Sequence, residues 1–134
     1  MTYELFCNSV RGSSHIRKGT PCEDYGIKID CGEFKIFAVA DGHGDPNCLR
    51  SNIGSKYICQ IASEELEDFA LTIKEQAWEE KLFDKHEAMQ LVERLILSIV
   101  GKWANAVGEE LEQNPLSEEE IQKAPAYAKE YIKG

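Results

Sequence analysis

Long apolar runs are missing from this sequence. Nothing approaches the roughly 18 consecutive apolar residues of a membrane span, and the start, Met1-Thr2-Tyr3-Glu4, has neither the basic flank nor the apolar stretch of a secretory signal. An intracellular, cytoplasmic protein is expected. Paired cysteines are missing as well. Cys7, Cys22, Cys31, Cys48 and Cys59 are odd in number and include no C-x-x-C, which argues against a disulfide framework and a zinc knuckle and for reduced thiols, several of them buried. Basic charge is scarce: 15 Lys and Arg stand against 24 Asp and Glu, a formal charge of -9. Nucleic acid and anionic membrane both require a basic face, so neither is expected as a partner. There is also no internal repeat, low-complexity linker or sustained heptad, which excludes a solenoid and a coiled coil.

What is present suits one α+β domain or a piece of one: 134 residues, 43% of them hydrophobic and 29% charged. Residues 3–10 carry side chains that suit a pleated surface, so a first strand is predicted, followed by a loop through Pro21. Tyr25, Ile27 and Ile29 share one face, Cys31-Gly32-Glu33 turns the chain, and residues 34–41 are almost continuously apolar. That pattern predicts a β-hairpin whose second strand is buried on both faces. Asp45 is placed to cap a helix with Pro46 at its first position. The helix should run to about Phe69 with Leu49, Ile53, Tyr57, Ile61 and Leu66 as its stripe, and with Gly54 approaching the sheet. Residues 72–85 lack clear periodicity. A second long helix should open on Asp84 and Glu87, carry Val92, Ile96, Ile99, Trp103, Val107 and Leu111, and stop at Asn114-Pro115. Ser117 with Glu120 repeats the capping signature for a short acidic helix, and beyond Pro125 a last helical piece is predicted over residues 127–133.

Chemistry concentrates at the end of the buried strand, where Asp41-Gly42-His43-Gly44-Asp45 releases two carboxylates and an imidazole within five residues. The strand holds Asp41 rigidly, and the glycines allow a ligand to approach the backbone, including a carbonyl oxygen that could join a hard cation's shell. An antiparallel hairpin brings Glu23-Asp24, at the start of its first strand, beside Asp41 at the end of its second. Three carboxylates are expected to converge there, and all-oxygen ligation favours magnesium or manganese over zinc. The same residues also fit a solvated surface loop, since Asp-Gly is common in turns. A calcium-loop reading fails, because Pro46 and Asn52 occupy its glycine and glutamate positions.

Two motifs, Cys22-Glu23-Asp24-Tyr25 and Val39-Ala40-Asp41-Gly42-His43-Gly44, resemble those of the metal-dependent serine/threonine protein phosphatases of type 2C (PPM). The early residues Ser9, Gly12, His15, Gly19, Cys22 and Asp24 are similar to a bacterial branch of that family. The resemblance implies the N-terminal part of a four-layer αββα sandwich. It also implies that Asp41 bridges two Mn2+ or Mg2+ ions, that Glu23 and the Gly42 carbonyl bind metal, and that Asp24 supports them. His43 would be the general acid toward the leaving serine or threonine oxygen, with in-line attack on phosphorus, and the substrate would be a phosphoprotein.

The chain departs from the family at three places. A phosphate-binding arginine is common four residues before the motif glutamate, where this chain has Gly19, so His15, Arg17 and Lys18 become the candidates for phosphate. Asp45 replaces a frequent second glycine. The family's domain is roughly twice this length, with further metal-binding aspartates downstream, whereas here no Asp follows Asp84. Residues 1–134 are therefore expected to be the N-terminal portion of one catalytic domain, inactive alone and inclined to self-associate through an exposed sheet edge. Two other readings stand beside this one: a half-domain that serves as a binding or regulatory module, and an unrelated α+β domain whose acidic helices bind a basic partner.

Overall fold

Strand-forming residues alternate in register across the hairpin. In the computed structural model, which describes residues 4–45, 48–75 and 84–124, β1 (Tyr25–Cys31) pairs antiparallel with β2 (Phe34–Ala40). Tyr25 lies opposite Ala40, Ile27 opposite Ala38 and Ile29 opposite Ile36, so the apolar sets of both strands share a face. Gly32 makes the turn at φ 74°, a conformation that glycine adopts without strain, and its amide donates to Asp30 Oδ1. A short helix, α1 (Ser13–Lys18), precedes the hairpin, and α2 (Ser51–Glu75), α3 (Lys85–Gln113) and α4 (Glu118–Lys123) follow it. The result is a mixed α+β arrangement in which α2 lies across both strands and α3 packs on α2.

Two faces of α2 do different work. Ser55, Cys59 and Ser63, spaced by four, are its buried residues, and their small side chains let the helix lie close to the hairpin. The Cys59 thiol donates to the Tyr25 carbonyl, and burial pushes its pKa up. The expected stripe faces α3 instead: the Tyr57 hydroxyl donates to Glu110 of that helix. Gly54 likewise faces α3, with its carbonyl accepting from the Trp103 indole at 3.0 Å, rather than approaching the sheet.

Several sequence expectations are corrected. Residues 4–10 form no strand; they follow the hairpin through side-chain contacts, with Lys28 Nζ donating to the Leu5 carbonyl and the Cys7 thiol against Gly26. The expected loop through Pro21 contains α1. The second strand is buried on one face only: Ile36 is 7% exposed, whereas Phe37 and Val39, on the face away from α2, are 53% and 81% exposed. α2 starts at Ser51 rather than at Asp45 and Pro46, and it runs at least to Glu75, where Lys74 pairs with Glu33 in the hairpin turn. α3 begins as expected, with Asp84 accepting from the amides of His86 and Glu87, and it ends at Asn114. α4 opens on the full Ser117–Glu120 capping box. The helical piece expected over residues 127–133 lies outside the described residues. Among the described residues, no helix is long and apolar enough to cross a membrane.

Candidate metal-binding and catalytic site

The hairpin ladder closes at Tyr25 and Ala40, so the next residues outward, Asp24 and Asp41, leave the sheet side by side. Beyond them the backbones pack tightly. A Cβ built on Gly42 would stand 2.1 Å from the Glu23 carbonyl oxygen, and one built on Gly44 would stand 2.9 Å from Glu23 Oε2. Glycine is required at position 42, where the Glu23 backbone leaves no room, whereas at Gly44 only the mobile end of the Glu23 side chain is close. The Glu23 carboxylate, 17% exposed, thus meets the Asp41-Gly42-His43-Gly44 loop.

The approach to Glu23 is built by α1. Gly19 ends that helix at φ 69°, its amide donating to the carbonyls of His15 and Ile16, and the left-handed turn folds the chain back. His15 Nδ1 comes within 3.0 Å of Thr20 Oγ1 and 3.9 Å of Glu23 Oε2. Ser9 Oγ and the Cys22 thiol both donate to the Asp24 carbonyl, at 3.3 and 3.5 Å. The early motif is therefore a brace around Glu23-Asp24.

A model of the protein phosphatase 2C family matches residues 11–130, a span that contains both motifs and the brace apart from Ser9. The chain belongs to the protein phosphatase 2C family. No curated protein and no solved structure matches it. Of the three residues named as candidates for phosphate, His15 is the one that stands beside Glu23. Arg17 and Lys18 stand exposed in the last turn of α1 and, among the described residues, form no ion pair there. Gly19, at the position of the common arginine, is held by its positive φ.

Phosphatase 2C domains are generally metal-dependent, and the donor set here is right in kind: the carboxylates of Glu23 and Asp41 and the Gly42 carbonyl offer hard oxygens. The set is small, however. Among the described residues, no group of three or more His, Cys, Asp or Glu side chains is gathered to hold a cation, which corrects the expected convergence of three carboxylates. Successive residues of an extended chain point to opposite sides, so Glu23 turns inward while Asp24 is exposed. Asp41 and His43 are exposed at the rim of a largely apolar cleft of about 630 Å³ between α2 and α3. Asp45 stands six residues ahead of Ser51, where α2 begins, and its carbonyl accepts from the Cys48 amide.

Two supports of this loop were not foreseen. Arg50, just before α2, forks onto Glu120 of α4 with Nε–Oε1 2.7 Å and Nη2–Oε2 3.0 Å, and it also donates to the carbonyls of Asn114 and Pro115. Its hydrogen bonds, followed by those of Ser117, hold the Glu120 carboxyl at about 2, against an ordinary 4.5. Partners 64 to 70 residues apart leave no local signal in the sequence. The second support is Ser55, buried beneath Glu23. Its signal was present in the four-residue spacing Ser55, Cys59, Ser63, but small polar residues do not register as an apolar stripe.

Proposed function

We propose that this chain supplies the N-terminal part of a metal-dependent phosphatase acting on phosphoserine and phosphothreonine in proteins, and that the rest of the catalytic domain completes the site. The observation that carries this reading is the packing of Glu23 against Gly42 and Gly44, within a chain whose match to the family spans both motifs. Asp41, Glu23 and the Gly42 carbonyl would hold Mn2+ or Mg2+. When bound, the cations would supply Lewis acidity and acidify water. Asp24 would add negative charge behind Glu23. Hydrolysis breaks the bond between phosphorus and the serine or threonine oxygen while water adds to phosphorus. His43, exposed on its loop, is free to deliver the proton that the departing oxygen requires. His15 would face the phosphate, with Arg17 and Lys18 reinforcing the positive potential from α1.

One observation favours a second reading, a half-domain that binds or regulates without turnover: among the described residues, no group of three or more His, Cys, Asp or Glu side chains is gathered to hold a cation. The purified native-length product decides between them in a phosphate-release assay on a phosphothreonine peptide. The phosphatase reading expects release with Mn2+, arrest with a chelator, and recovery when Mn2+ is restored. A product of 15.1 kDa that binds Mn2+ weakly or not at all and releases no phosphate would establish the half-domain reading.

A further inference from the structure

Glu23 lies just outside the hairpin ladder, so no strand partner fixes its backbone. Its carbonyl is nevertheless enclosed. Gly42 presses on it from the loop side, and Ser55 Oγ donates to it at 2.5 Å from the helix side. Ser55 is 6% exposed, and its other acceptor within reach, the Asn52 carbonyl of its own helix, is farther at 3.2 Å. One turn on, Cys59 donates to the Tyr25 carbonyl. Four helical residues rise about 6 Å, close to the roughly 6.6 Å between alternate strand residues, so α2 registers on the Glu23 and Tyr25 carbonyls as a pair. Trp103 of α3 holds the same turn of α2 by donating to the Gly54 carbonyl.

We propose that Ser55 is a positioning residue for Glu23: its hydroxyl fixes the Glu23 peptide so that the carboxylate meets the Gly42–Gly44 loop and is ready to bind a divalent cation. The cation step rests on the metal-dependent reading above, whereas the positioning step does not. A hydroxyl at this place has no reason to be buried for packing alone, since alanine would fill most of the same space beside Cys59 and Ser63. Its one proton goes to a carbonyl that otherwise has no donor within the ladder.

The test uses the full 134-residue chain with isotope-labelled backbone, as wild type and as Ser55→Ala, Ser55→Cys and Ser55→Thr. In Ser55→Ala the Glu23 carbonyl resonance and the Gly42, His43 and Gly44 amide resonances should move, while those of Ile36 and Ile29 in the hairpin stay. Ser55→Thr should restore them, and Ser55→Cys, a weaker donor, should fall between. Calorimetric titration with MnCl2 should show affinity about tenfold lower in Ser55→Ala and recovered in Ser55→Thr, the usual scale for losing a group that orients a ligand. Unmoved Glu23 and Gly42–Gly44 resonances in Ser55→Ala would overturn the assignment. Should Ser55→Ala not fold, wild-type positions for those resonances in Ser55→Cys would overturn it equally. If the resonances move but the wild-type chain takes no Mn2+, the positioning contact stands and the cation step fails for this chain alone.

Discussion

At the scale of single residues, the site is written in glycines and short polar side chains. Gly42 has no room for a Cβ, because the Glu23 carbonyl would lie 2.1 Å from it. Gly42→Ala should therefore push the loop off Glu23 at a cost of about 1–3 kcal/mol, read as a lowered melting temperature. Gly19 has open space around it but sits at φ 69°, so Gly19→Ala should cost about 1 kcal/mol through backbone strain alone. The chemistry-bearing residues were legible because their spacing is local: strand, Asp41, glycine and His43 follow one another, and the hairpin brings Glu23 back to them. The inward turn of Glu23 and the outward turn of Asp24 were not, because they depend on where the chain leaves the ladder. Ser55 was missed because a serine in a helix reads as surface until the hairpin is laid on it.

At the scale of elements, local signals located the helices well where a cap decides the boundary. Asp84 and Ser117 open α3 and α4 as read, and Asn114-Pro115 stops α3. Ser117→Ala should cost about 1 kcal/mol of stability in chemical denaturation, through loss of the capping box. The start of α2 was misplaced because a distant clamp sets it, with Arg50 gripping Glu120 and the carbonyls after α3. That clamp carries a pH signature. The Glu120 carboxyl titrates near 4.5 when unfolded and at about 2 when folded, so its stabilisation is full above the former and is lost as pH falls toward the latter. Arg50→Met should lower stability at neutral pH by about 1 kcal/mol, a value discounted for solvent screening of a partly exposed pair. It should also flatten the loss of melting temperature between about pH 5 and about pH 2, since the variant has less of that contribution to lose. An equally steep acid loss in the variant would show that the clamp contributes little. The opening segment was misread as a strand because its composition suits one, although side-chain contacts with Lys28 and Gly26 hold it rather than a ladder.

At the scale of the whole molecule, the α+β class, the hairpin and the two long helices were legible, because each element's hydrophobic period is strong. Burial was not. Only one face of the two-stranded sheet is covered by α2, and Phe37 and Val39 on the other face remain open, with Phe6 and Val10 also exposed at 81% and 78%. Apolar surface of this kind is covered by association when nothing else covers it. Sedimentation of the 134-residue chain should accordingly show concentration-dependent self-association that Val39→Lys weakens; a wild-type chain that stays monomeric at high concentration would contradict this. The proposed role of Asp41 as a metal ligand is checked by Mn2+-dependent phosphate release from a phosphothreonine peptide by the native-length product, as wild type and as Asp41→Ala. Release in the variant should fall to background while its melting temperature stays close to that of the wild type. Release at the wild-type rate from Asp41→Ala would contradict it.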